Sequence, residues 1–331
     1  MRPERPEFLS DTLHIITLIA IPIHIFGTYC ILFKTPKTMG SVKWIMFNFH
    51  FWCMCLDYGV TILTVPILLF PALGGWPYGI LSDWNVPVEI QTYLILTLIP
   101  VVTAAVITIF ENRYFLVFGK ESKWSRCRIP LDVFNYLFAM SWSIPAFVMI
   151  PDQKMAVREA LEMVGPSNIP DVIRNGPIFI LSLELKTVTL PCFVIVFTMV
   201  CEAFWFVALM KRGMKRLSET ARFSKNTLRM QKKFLNAVYI QVSMYMFSIQ
   251  LPIGYFFFSI LLKIYNQAAN NFCIVLFSLN GGLATIVMIW VHTPYRDFAF
   301  KILRIEKWRK KIAKVKISDA AISVAPTTAQ S

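Results

Sequence analysis

Seven long apolar runs constrain this chain more than any other feature, because each is long enough to cross a hydrocarbon layer. They are Leu13–Phe33, Trp44–Phe70, Ile90–Phe110, Val133–Ile150, Thr187–Met210, Phe234–Leu262 and Phe272–Val291. A spanning helix needs about 20 such residues. In lipid the backbone has to satisfy its own hydrogen bonds, which leaves only helices and closed barrels. Barrel strands would alternate apolar and polar residues over about 10 positions, whereas these runs are continuous, so the sequence predicts an all-α bundle of seven membrane-spanning helices. A soluble fold is excluded by the shortage of polar sequence: 56% of the 331 residues are hydrophobic and 16% charged, against roughly 25% charged in soluble domains.

The chain nevertheless carries a net charge of +14, so its basic residues must be segregated from its apolar bulk. Of 33 Lys and Arg residues, seven fall in the N-terminal segment and the second, fourth and sixth connections. The other 26 fall in the first, third and fifth connections and the C-terminal tail. The positive-inside rule then predicts an outer N-terminus and a cytoplasmic C-terminus. The first run is too long for the core of a cleavable signal peptide and follows acidic residues, so it is expected to stay as a span. Residues 1–311 read as one receptor-sized domain and 313–331 as a disordered cytoplasmic tail. Between them Tyr295, Phe298, Ile302, Ile305, Trp308 and Ile312 recur at helical spacing among basic residues, the pattern of an amphipathic helix over 295–312 on the inner leaflet. Every basic cluster abuts a span, which points to membrane lipid and a cytoplasmic protein as partners and away from nucleic acid.

Three segments are more specific than topology. They are Lys34-Thr35-Pro36 through Asn48-Phe49-His50-Phe51-Trp52 with Asp57 beyond it, Phe110-Glu111-Asn112-Arg113-Tyr114, and His292-Thr293-Pro294-Tyr295-Arg296-Asp297-Phe298. Together with Gln231-Lys232-Lys233-Phe234, and in this order, they resemble the nematode class H serpentine chemoreceptors from about Leu13 to Phe298. The resemblance implies a multi-pass plasma-membrane receptor of sensory neuron cilia that detects an external small molecule and signals through a heterotrimeric G protein. The alternative is a seven-span ligand-gated ion channel or transporter. No enzyme is expected, because His14, His24, His50 and His292 are scattered without ligand spacing, and no metal or cofactor is expected either.

Candidate site residues follow from chemistry. An ionised carboxylate at mid-membrane costs at least about 2.5 to 3.5 kcal/mol, so Asp57 needs a reason to be there. It sits about 20 Å from the cytoplasmic boundary and Asn280 about 16 Å, counted along their helices. The two are expected to meet, with water or a cation between them, as a polar hinge, with a protonated Asp57 acting as helix glue as the equal alternative. Pro252 is expected to kink the sixth span and completes the candidate switch. Glu202 is expected to pair with Gln241.

Glu111 and Arg113 resemble the residues that end the third helix of rhodopsin-like receptors, but Asn112 stands between them and places them about 200° apart, which argues against an ionic lock. Arg113 is expected at the inner mouth, open to a partner helix. Tyr114, Lys211, Arg212, Lys232 and Lys233 complete the G-protein side. The ligand-pocket candidates are Tyr93, Tyr255, Phe256 and Tyr265. The disulfide of rhodopsin-like receptors is not available, because Pro151–Lys186 holds no cysteine. That connection is expected to be held otherwise or to be mobile.

Overall fold

The structure, a computed structural model, describes residues 3–37, 40–119, 122–165, 169–219 and 225–303. Its spans are α1 (Pro6–Lys34), α2 (Gly40–Tyr58), α4 (Val88–Tyr114), α5 (Trp124–Ser141), α9 (Leu185–Glu219), α10 (Lys225–Leu262) and the broken pair α11 (Gln267–Ser278) and α12 (Asn280–Val291). Between and after them lie α3 (Ile80–Asp83), α6 (Ile144–Val148), α7 (Gln153–Val164), α8 (Asp171–Arg174) and α13 (Thr293–Ile302). Helices covering the first, third, fourth, fifth and seventh runs are long and apolar enough to cross a membrane. The central helix is α4, packed against α2, α5 and α9. Its middle carries Ala104 and Ala105, both buried, and small residues of this kind let neighbouring helices approach closely.

Polarity is inverted relative to a soluble bundle. Leu18, Phe193, Phe197, Phe204, Phe247, Phe258 and Trp290 all point outward and exposed, while Asp57, Glu111, Asn280 and His24 are buried. An apolar outer surface this extensive is what a lipid-facing bundle presents.

The second run departs from expectation. It was expected to stay helical to Phe70, but α2 relaxes into a π-helical turn, Gly59–Thr64, and the chain then leaves the helix at Val65, which has a φ of 41°. Two signals explain the early stop. Pro66 disfavours a helical conformation in the residue before it, and four of the five residues 60–64, Val60, Thr61, Ile62 and Thr64, are β-branched. The rest of the run becomes strand β1 (Pro66–Leu68).

With β2 (Leu73–Pro77) and β3 (Phe179–Ser182), β1 forms a three-stranded antiparallel sheet in the order β1-β2-β3. Ile67 stands opposite Trp76, and Gly75 faces Leu68 on one side and Phe179 on the other. Gly75 is required by closeness: a Cβ there would sit far inside contact distance of the Ile67 carbonyl oxygen. The sheet lies at the end of the bundle that carries the N-terminus, where Asn270 donates to the Leu68 and Phe70 carbonyls and Asn271 donates to the Pro3 carbonyl.

The connection before α9 is therefore held without a disulfide; all seven cysteines are free. Gln153, the first residue of α7, acts in its place. Its amide donates to the Ile180 carbonyl (3.0 Å) and accepts from the Ile180 N–H (2.9 Å), as a neighbouring strand would. At the opposite end the chain turns at His292, and Pro294 starts α13 in the first helical turn, where a missing N–H costs nothing. Tyr295 is buried and shares a 2.6 Å hydrogen bond with Thr35, fixing α13 to the end of α1. The expected amphipathic helix is seen as far as Ile302; its continuation to 312, with Ile305, Trp308 and Ile312, and the tail 313–331 lie outside the described residues.

Candidate functional site

Beneath the sheet lies a cavity of about 220 Å³, bounded by α4, α9, α10 and α11 and roofed by β1 and β2. Its lining is almost wholly apolar and, among the described residues, includes no Asp, Glu, His, Lys or Arg; Ile67, Trp76, Ile99, Val196, Ile253 and Phe256 are representative. Several of its polar side chains are already engaged. Thr64 donates to the Gly59 carbonyl, Thr92 to Val88, Gln91 to Val86 and the Trp142 indole to Leu96.

Of the four aromatic candidates for the pocket, only Phe256 lines it, stacked on Phe70 at 4.3 Å. Tyr93 points between helices and donates to the Met140 carbonyl at 2.7 Å. Tyr265 donates to Gln267, which donates to Asn271, so it belongs to the anchor of the N-terminal segment. Tyr255 packs edge-on against Phe256 but faces away from the space. The expectation failed because a Phe- and Tyr-rich bundle places aromatic rings on every face, and depth along a helix says nothing about direction around it.

One turn further into the bundle, α11 ends and α12 begins with a break at Leu279. A fresh helix start exposes unpartnered N–H groups, and Leu279 has no side-chain acceptor to offer them. Asp57 supplies one from α2. Its two carboxylate oxygens accept the N–H groups of Gly281 (2.9 Å) and Gly282 (3.0 Å). The carboxylate thus caps α12 from a different helix, at the positive end of the helix dipole. Gly281 permits this approach, since a Cβ there would overlap Asp57 Oδ2.

The same Oδ2 lies 3.2 Å from His24 Nε2 on α1. The other His24 nitrogen is 3.4 Å from the Thr285 hydroxyl, which also lies 3.2 Å from His50 Nδ1. His50 Nε2 in turn meets Thr28 at 3.0 Å. Asp57, His24, His50 and Thr285 thus form one buried network joining α1, α2 and α12.

Asp57 and Asn280 are therefore near neighbours whose side chains take different partners, Asp57 the Gly281 and Gly282 amides and Asn280 the Ser248 hydroxyl. The Asn280 Oδ1 lies 2.7 Å from the Ser248 hydroxyl on α10, and its Nδ2 is 3.9 Å from Cys53 Sγ. Asn280 starts the helix that Asp57 caps, so the two act on the same element from different neighbours. Pro252 is buried in α10 and, having no N–H, adds no donor to the helical ladder at that turn. Sequence reading missed His24 and His50. Their spacing across two spans carries no ligand pattern; the available signal was that each lies in the middle of an apolar run.

Glu111 is fully buried and bound on both oxygens, by the Trp124 indole (2.8 Å) and Arg128 (3.0 Å). Arg128 also donates to Asn112 and lies on the Phe115 ring. Glu111 thus pairs with Arg128 of α5, not with Arg113, which is itself buried at 8% exposure instead of open at the mouth. Burial, and next the nearby Arg113 guanidinium, push the His292 imidazole, just past the seventh span, down to about 4, so it is neutral at physiological pH.

Tyr114 is half-buried in an aromatic cluster with Phe118, Trp124 and Phe206. Lys211 and Arg212 are exposed on α9. The side chains of Lys232, Lys233 and Gln241 lie outside the described residues. Glu202 accepts a 2.9 Å hydrogen bond from Asn135 on α5, a partner that sequence depth alone did not suggest.

A seven-helix bundle with a partly open cavity at the N-terminal end and a buried polar network at its middle is the architecture of a serpentine receptor. A crystal structure of squid rhodopsin superposes with a TM-score of 0.53, covering 92% of this chain and 87% of that one at 11% identity, which establishes the shared fold. Residues 4–305 match the model of the serpentine type 7TM GPCR chemoreceptor family Srh. The chain belongs to that family, and is an integral membrane protein. Serpentine receptor class H-72 of Caenorhabditis elegans is 24% identical over 310 residues, covering 88% of this chain and 84% of that protein.

Proposed function

We propose that the protein is a chemosensory receptor that takes up an external small molecule in the cavity beneath the sheet and activates a heterotrimeric G protein at the opposite end. The observation that carries this reading is the continuous set of contacts from the cavity to the polar network at the middle of the bundle. Ile253 and Phe256 of α10 line the cavity; Ser248, about one turn along α10, meets Asn280; and Asn280 opens the helix that Asp57 caps. A shift of α10 at Pro252 would change the seating of Asn280 and therefore of α12.

The buried Arg113 fits a resting state, in which partner binding requires the α10 and α12 ends to move apart. Tyr114 and the exposed Lys211 and Arg212, with Lys232 and Lys233, would border the opening. The segregation of 26 basic residues to one side supports a cytoplasmic C-terminus, in the plasma membrane of sensory neuron cilia.

The test is second-messenger output in cells expressing the receptor and exposed to a panel of small molecules. Arg113→Ala should abolish G-protein activation at unchanged surface level, and a C-terminal epitope should be reached by antibody only after permeabilisation. A ligand-gated current that persists without G protein would overturn this reading in favour of a channel.

A further inference from the structure

The cavity also limits what kind of molecule can enter it. Building on the receptor reading, we propose that the ligand is an uncharged molecule, mostly hydrocarbon, with one hydroxyl or carbonyl group met by Gln250.

Three observations carry this. First, with no Asp, Glu, His, Lys or Arg in the lining among the described residues, a bound ammonium or carboxylate would be stripped of water without a counter-ion, which is prohibitively unfavourable. Second, engineered apolar cavities of roughly 150 Å³ stay dry and accept benzene. A volume of about 220 Å³ therefore suits something larger than one bare ring: a substituted ring or a medium-chain alcohol, ketone or ester. Third, Gln250 lines the cavity from α10, and its amide has no hydrogen-bond partner among the described residues. The neighbouring threonines, Gln91 and Trp142 bond largely within the protein, so Gln250 is the group with both a donor and an acceptor to offer. It also sits two residues before Pro252, where α10 lacks a backbone hydrogen bond. A ligand oxygen held there would bear on the helix at its least constrained point.

The experiment uses the purified full-length chain in lipid nanodiscs, with thermal stabilisation as the readout and no G protein present. The probes are 1-alkanols from butanol to dodecanol, the matching alkanoates and the matching alkylamines. Alkanol affinity should rise about fourfold per methylene and then stop at a chain length set by the cavity, a cutoff that partition into lipid does not produce. The charged series should give no saturable stabilisation.

Gln250→Leu should weaken alkanols about threefold to tenfold and leave alkanes of equal length unchanged. Val196→Phe should shorten the cutoff, and Ile253→Ala, which enlarges the same space, should lengthen it. Saturable binding of the alkylamines or alkanoates that Val196→Phe blocks would overturn the ligand class while leaving the cavity as the binding site. A cutoff that neither cavity variant moves would overturn the site itself. Alkanol affinity unaltered in Gln250→Leu would overturn the role of Gln250. Because binding is read without signalling, each outcome is separable from failure of the G-protein reading.

Discussion

Two carboxylates, Asp57 and Glu111, are buried to the same degree and are each bound by protein groups on both oxygens, yet they do opposite things to the fold. The partners of Glu111, Trp124 and Arg128, lie 13 and 17 residues further along the chain, on the helix that follows a short connection. It staples one corner. The partners of Asp57 come from α1 and α12, and the backbone groups it holds are more than 220 residues away. It ties together three helices, α1, α2 and α12. A bond within one corner survives a rearrangement of the bundle, whereas a bond across helices has to be remade, so Asp57 is suited to a switch and Glu111 to a scaffold.

The comparison breaks first at Arg128. Arg128→Ala leaves Glu111 buried without its cation and should cost about 3 to 5 kcal/mol, seen as loss of surface expression or a large drop in Tm of the purified protein. Robust expression of that variant would show that the corner does not depend on the ion pair. Gly281→Ala comes next. The methyl group has to displace Asp57 or α12, and overpacking of this kind costs about 1 to 3 kcal/mol; signalling should be lost or become constitutive in protein that still reaches the surface.

Asp57→Asn is milder, because the amide still accepts from one glycine N–H. A loss of about 1.5 kcal/mol is expected, together with altered signalling at normal surface level; unchanged signalling would remove Asp57 from the switch. Smallest is Gln153→Leu, which deletes two hydrogen bonds made to β3 by a half-buried side chain. It should lower stability by about 1 kcal/mol and raise amide hydrogen exchange in 179–182 while α4 stays protected.

The spans were legible in the sequence because membrane insertion is read from hydropathy in windows of this length. The interruption of the second span was also written there, in Pro66 and the β-branched residues before it, but a continuous apolar run conceals a change from helix to strand. The site was legible only in part. Asp57, Asn280 and Pro252 stood out as polar or helix-breaking residues where lipid disfavours them. Their partners did not, since His24, Ser248 and the two glycine amides are defined by which helix lies alongside which. Glu202 shows the same limit: residues at matching depth were easy to list, but Asn135, on α5, depends on rotation about the helix axis. The pocket aromatics failed for that reason too.

The side chain of Gln153 also has a temporal consequence. A roof held by hydrogen bonds instead of a covalent bridge opens by thermal fluctuation, so on the proposed reading the dwell time of a ligand beneath it should depend on how often those bonds part. Reductants should leave that dwell time unchanged. Loss of the Gln153 amide should shorten it, accelerating dissociation more than association and setting how quickly the receptor falls silent once its stimulus is gone.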